Sequence, residues 1–150
     1  MAEMAAKAPS RALFLLEGRA VGELFGFAAA LPGLAALAPR GDGQPVLVLP
    51  GLITTDRSTI ALRTLLTSLG YPTQGWNLGR NYGPLPGIED DLKSMLETMA
   101  EEHGRTVSLI GWSLGGIYAR QLAKMMPEHV RQVRSEEHTS ELQSLAYLVC

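Results

Sequence analysis

At 150 residues, 46% of them hydrophobic, the chain is long enough to form one domain with a real core. A formal net charge of −2, with no basic or aromatic stripe, gives no electrostatic case for a nucleic-acid partner. The single cysteine, Cys150, is terminal, so there is no disulfide framework and no Cys/His zinc spacing; no metal or cofactor is expected.

Residues 1–40 read as an N-terminal helical segment. The stretch 20–38 is apolar, but Glu23, Pro32 and Gly33 argue against a membrane-spanning helix. Glu17 and Arg19 interrupt the apolar stretch that follows Lys7 and Arg11, which fits a signal peptide poorly. Residues 11 to 31 are expected as a helix packed on the domain body, with shallow interfacial membrane contact as the alternative. Without a clear signal peptide, a cytoplasmic location is the expectation.

Gln44-Pro-Val-Leu-Val-Leu-Pro50 reads as a short, continuously apolar strand entering Gly51-Leu-Ile-Thr-Thr-Asp56. From Thr59 to Leu69 the spacing predicts a core-facing helix, with Ile60, Leu62, Leu65, Leu66 and Leu69 on one broad face and Gly70 as a left-handed stop. A short strand through Thr73 to Leu78 follows, then a Gly- and Pro-rich loop from Gly79 to Gly87. Ile88, Leu92, Met95, Leu96 and Met99 recur at helical spacing, and Glu89, Asp90 and Asp91 suit the positive end of that helix's dipole. This Met and Leu stripe reads as core, not as a cofactor box.

Thr106-Val-Ser-Leu-Ile110 is a third apolar run, and it leads into Gly111-Trp112-Ser113-Leu114-Gly115 and then a helical pattern ending at Pro127. This is where a nucleophile elbow belongs. A serine in a sharp strand-to-helix turn has its hydroxyl lifted clear of the backbone, and the crowded turn needs neighbours without side chains, which Gly111 and Gly115 supply. The plain alternative is an ordinary Gly-rich turn. Acyl transfer also needs rigid N–H groups to hold a developing oxyanion. Leu114, after the serine, and Leu52, in the Gly51 loop, are assigned to that role. The order strand, helix, strand, helix, strand, helix calls for a parallel α/β sheet of about three strands in the order 2-1-3. Ser113 then sits at the carboxyl end of the third strand, where open α/β sheets place their ligands.

Val46-Leu-Val-Leu-Pro-Gly-Leu52, the Leu-Gly-Tyr-Pro block at 69–72, Trp76-Asn-Leu-Gly-Arg-Asn-Tyr-Gly83 and Gly111-Trp-Ser-Leu-Gly-Gly116 together resemble a bacterial α/β-hydrolase of the esterase/lipase type. The resemblance covers roughly residues 10 to 133. It implies a truncated α/β-hydrolase fold in which Ser113 is the nucleophile and Leu52 and Leu114 frame the oxyanion hole. It also implies a small ester or lipid as substrate. Pro50-Gly51 stands where many lipases and esterases have His-Gly, a departure that touches the Leu52 donor.

A serine hydroxyl needs a base, normally a histidine oriented by a carboxylate. His103 precedes the serine at a helix end, and His129 follows it by one whole helix, so neither suits the role. His138 lies in Arg134-Ser-Glu-Glu-His-Thr-Ser-Glu-Leu-Gln-Ser144, which with Tyr147-Leu-Val-Cys150 resembles the conceptual translation of a short-read sequencing adapter. Before it, Pro127-Glu-His-Val-Arg-Gln-Val133 reads as a helix stop entering a new strand. The expected organisation is therefore residues 1–40 as a helical segment, 41–133 as the N-terminal half of a hydrolase domain, and 134–150 as a non-native tail. On this reading Glu136, Glu137, Glu141 and His138 have no place in the site. The fragment is expected to be inactive. A fold that has lost turnover and binds acyl chains or partners, and transfer to an alcohol or thiol, are the alternatives to ester hydrolysis. Trp112 and the loop Trp76 to Tyr82 could shape an acyl pocket or simply pack around the elbow.

Overall fold

The computed structural model describes residue 26 and residues 29–136. The chain divides into two compact units, Met1–Leu37 and Ala38–Cys150. In the first, residues 29–37 are helical, through Pro32 and Gly33. The helix expected over 11 to 31 falls almost entirely outside the described residues, as do His138 and Cys150. No helix among the described residues is long and apolar enough to cross a membrane.

The second unit is built on four parallel strands: β1 (Val46–Leu49), β2 (Thr73–Gly75), β3 (Val107–Trp112) and β4 (Val130–Glu136), in the order β2-β1-β3-β4. The expected 2-1-3 arrangement is present, with β4 added outside β3. Every residue of β1 is buried, as a strand covered on both faces requires. Three helices follow in the chain, α1 (Ile60–Ser68), α2 (Ile88–His103) and α3 (Leu114–Met125).

Register decides what each face of the sheet carries. Leu47, Leu109 and Val133 align across β1, β3 and β4, and the next row on that face is Leu49, Gly111 and Ser135. This face meets the apolar sides of α2 and α3, so that Leu47, Leu49, Leu109, Leu92, Leu96, Met99, Tyr118 and Leu122 form one buried cluster. The i, i+4, i+7 stripe of α2 is therefore core, with Ile88 and Met95 packed at its margin. The opposite face reads Val46, Ser108, Gln132 in one row and Val48, Ile110, Arg134 in the next, turning polar towards β4. A register shift between Val107 and Ser108 leaves Arg131 as the extra residue of a bulge.

Three local expectations change. No residue of α1 is fully buried, and Ile60 is exposed; of its expected apolar face only Leu69, just past the helix end, is buried. Ile60 opens the helix directly after a 3-10 turn, Asp56–Thr59, which leaves it on the rim. Strand β2 stops at Gly75 and does not reach Leu78, because Trp76 turns inward. Its N–H donates to the Asp56 carboxylate at 2.9 Å, its indole N–H donates to the Gly79 carbonyl at 2.9 Å, and Asn77 takes a left-handed conformation. The strand opened by residues 130–133 continues through Glu136.

Candidate active site

Ser113 is the single residue between β3 and α3, and its backbone is forced into φ 51°, ψ −118°. That region is costly for any residue with a side chain, and it persists only where the surroundings dictate it. Here the neighbouring glycines do so. A Cβ on Gly111 would collide with the Gly115 carbonyl and the Gly116 N–H, and a Cβ on Gly115 would collide with the Leu49 carbonyl and lie 2.8 Å from the Pro50 oxygen. The first turn of α3 thus lies directly on the ends of β1 and β3, and the Gly116 N–H closes it by donating to the Ser113 carbonyl at 2.8 Å. Ser113 itself is half-buried.

The loop after β1 meets the same point from the other side. A Cβ on Gly51 would stand 3.5 Å from the Ser113 Cβ and 3.3 Å from the Trp112 carbonyl oxygen. The Gly51 carbonyl accepts from the Thr54 N–H at 3.2 Å and from the Thr54 hydroxyl at 2.7 Å. Ile53 has φ 61°, unusual for a β-branched residue. Among the described residues no carbonyl accepts from the Leu52 or Leu114 N–H. Leu114 owes this to its place at the head of a helix, where donors are left over, and Leu52 to the turn.

Two polar residues that sequence reasoning did not single out hold this loop. Asn81 is fully buried, and its backbone exchanges hydrogen bonds with the loop, Ile53 N–H to Asn81 O at 2.6 Å and Asn81 N–H to Thr54 O at 2.9 Å. Its side-chain amide donates to the Pro50 carbonyl at 2.9 Å, and its amide oxygen accepts from Gly83 N–H at 3.1 Å. The Asp56 carboxylate accepts from the N–H groups of Trp76 and Asn77, both at 2.9 Å. The only local signal at Asn81 is a polar residue between Gly79 and Gly83, which by itself marks a turn.

The remaining sequence candidates separate. Trp76 is buried in the core with its ring centroid 6.3 Å from that of Tyr118, so it packs, whereas Trp112 and Tyr82 are exposed. His129 lies at the opposite end of β3 from Ser113, its carbonyl accepting from the Val107 N–H at 2.7 Å, and its ring meets Glu128 at 3.1 Å. His103 ends α2, which turns back into the start of β3 through Gly104. Arg120 donates to the Ser135 hydroxyl at 3.2 Å. No cluster of His, Cys, Asp or Glu among the described residues could hold a metal. Concavities of about 560 and 450 Å³ lie elsewhere, the first on the polar sheet face around Ser108 and Gln132 and the second between Pro86 and Tyr118. The arrangement at Ser113 is open, with one serine on a strained backbone and two backbone N–H groups beside it in the fold, Leu114 at the head of α3 and Leu52 in the turn after β1.

No family model matches the chain, and no curated protein sequence does. Solved structures do match it. One is a probable hydrolytic enzyme from Pseudomonas aeruginosa PAO1, 20% identical, with a TM-score of 0.50 over 65% of this chain and 34% of that one. Another is the mature form of the Bacillus licheniformis lipase BlEst2, also 20% identical, with a TM-score of 0.51 over 74% of this chain and 48% of that one. The chain spans between a third and a half of the length of these structures. At this identity the likeness is one of fold: the strands and helices described above form a parallel α/β fold that these two structures share.

Proposed function

We propose that Ser113 is the nucleophile of a serine hydrolase that cleaves carboxylic esters, with the Leu52 and Leu114 N–H groups as its oxyanion donors. The observation that carries this reading is the Ser113 backbone at φ 51°, ψ −118°. A conformation so unfavourable for a side-chain-bearing residue fits a hydroxyl that must stand clear of a strand end. In the proposed step the Ser113 oxygen forms a bond to the acyl carbon while its proton passes to a base. The carbonyl oxygen becomes an oxyanion held by the two N–H groups, and its collapse breaks the bond to the alcohol oxygen, which leaves as the alcohol by taking the proton back from the base. Water then releases the acid by the same route. Transfer of the acyl group to an alcohol or thiol would use the same residues.

The base and its orienting acid belong, on this proposal, to natural sequence following Val133 that the tail 134–150 replaces. His103 and His129 both lie at the opposite end of β3 from Ser113. The chain as it stands is then expected to turn over several orders of magnitude more slowly than the intact protein. Sequencing the source DNA outward from the Ser113 codon tests the organisation: a frame that continues into an acid and then a histidine supports it, and a genomic 134–150 sinks it. Labelling of the intact gene product by a fluorophosphonate tests the nucleophile. Loss of the label in Ser113→Ala is the expected result, and an intact protein that is not labelled at Ser113 defeats the hydrolase reading.

A further inference from the structure

The Gly51–Leu52 peptide is held from both of its neighbours. Its carbonyl is bound twice by Thr54, at 3.2 and 2.7 Å. Because a trans peptide sets its C=O and N–H in opposite directions, the Leu52 N–H points away from Thr54. The preceding carbonyl, of Pro50, accepts from the Asn81 side chain, and the following N–H, of Ile53, donates to the Asn81 backbone. One fully buried residue thus grips the chain on either side of the peptide that carries the proposed donor, and Ile53, which follows that peptide, is kept at φ 61°. An amide is needed for this: Asn81 donates to Pro50 and accepts from Gly83 at the same time, which neither a carboxylate nor a hydrocarbon can do.

From this we infer that Asn81 is a positioning residue, the side-chain clamp that fixes the direction of the Leu52 N–H. The inference rests on the hydrolase reading for its purpose, but the clamp itself is independent of it. Without the amide donor the Pro50 carbonyl is left buried without that bond, and the strained turn at Ile53 loses one anchor. The loop then samples orientations in which the donor is misdirected, which slows reaction at Ser113 without removing the nucleophile.

The test compares the intact gene product, which carries the natural sequence after Val133, with its Asn81→Asp and Asn81→Ala variants by two readouts. The first is amide hydrogen exchange of residues 51–54; the second is the rate at which a fluorophosphonate labels Ser113. Exchange about tenfold faster or more in that segment, with the β1 and β3 amides unchanged, is expected in both variants. Labelling is expected to slow by a similar factor or more. In Asn81→Asp both, taken as ratios to wild type at the same pH, should recover as the pH is lowered, because a protonated carboxyl can again donate to Pro50; in Asn81→Ala the ratios should not change with pH. Unchanged exchange in both variants overturns the clamp. Faster exchange with an unchanged labelling rate overturns its role in positioning. If wild type itself is not labelled at Ser113, that result counts against the hydrolase reading, and the exchange data and their pH rescue still decide the clamp.

Discussion

Gly51 and Ser113 face each other across the end of β1 so closely that a methyl group on Gly51 would stand 3.5 Å from the serine Cβ. The two proposed donors, Leu52 and Leu114, each follow one member of this pair in the chain. The gap between the members is therefore the site's one critical dimension, and it is set by backbone atoms.

Substitution of the glycines separates this gap from its foundation. In Gly51→Ala the new methyl meets Trp112 Cδ1 and O at 3.3 Å, a crowding that small shifts of the exposed indole and the strand end relieve. A stability loss of about 1 kcal/mol or less is expected. In Gly115→Ala the methyl meets the Leu49 carbonyl carbon at 2.7 Å and the Pro50 oxygen at 2.8 Å, both main chain in a fully buried strand end. Alanine gains about 1 kcal/mol of helix propensity over glycine, but separating α3 from β1 costs about 1–3 kcal/mol or more, so the net effect is destabilising. Urea unfolding of the two variants measures this. A Gly115→Ala protein as stable as wild type would mean that the close approach of α3 to β1 is not as described.

Ser113 itself should stabilise the protein when replaced by glycine. Its φ of 51° with ψ of −118° is a strained combination for a residue bearing a Cβ, and glycine removes most of that strain. Ser113→Gly is expected to exceed Ser113→Ala in unfolding free energy by about 1 kcal/mol, even though both lose the hydroxyl. Equal midpoints in urea would show that the turn relaxes without the serine.

A different strain sits one turn further along α3. The Tyr118 hydroxyl is buried, and among the described residues nothing hydrogen-bonds to it; burial raises its pKa above the ordinary phenol value. A buried hydroxyl without a partner costs more than its removal, so Tyr118→Phe is expected to be neutral to stabilising, by up to about 1 kcal/mol. The ring's contact with Trp76 is kept in the variant. A clear loss of stability on thermal unfolding would instead point to a partner for the hydroxyl.

The strand-to-helix turn at Ser113 and β1 were legible in the sequence because their signals are local. A continuous apolar run from Val46 to Leu49 can only be a doubly covered strand or a buried helix, and four residues are too few for a helix. The glycines at 111 and 115 state the crowding of the turn directly. Asn81 and Asp56 were not legible, because their partners lie 31 and 20 residues away and no spacing rule connects a polar side chain to a distant carbonyl or N–H. The overlong expectation for β2 has the same source: Trp76 reads as a strand residue until the Asp56 carboxylate pulls its N–H out of the ladder. Ile60 fits an apolar helix face by period alone, but it is the 3-10 turn before it that puts it on the rim.

At the other end of the sheet, Asp42 ties three segments together, and its carboxylate is expected to make stability depend on acid. Its carboxylate accepts from the Gln44 N–H at 3.2 Å and meets Arg131 at 3.3 Å and Arg105 at 3.2 Å, linking the entry to β1, the entry to β3 and the bulge in β4. The hydrogen bond from Arg131, helped by the Gln44 N–H and the charge of Arg105, holds its pKa below the ordinary carboxylate value. A carboxyl whose pKa is lowered by folding contributes stability that is fully present above its unfolded value, about 3.9, and is lost as the pH falls through the folded value. The stability difference between wild type and Asp42→Asn is therefore expected to be greatest near neutral pH and to close below about pH 4. Because these groups face solvent, added salt should also shrink it. Melting temperatures of the two proteins between neutral pH and pH 3, at low and high salt, provide the measurement. A difference that persists unchanged at pH 3 would mean that the carboxylate's charge contributes nothing and that Asp42 acts through its shape alone.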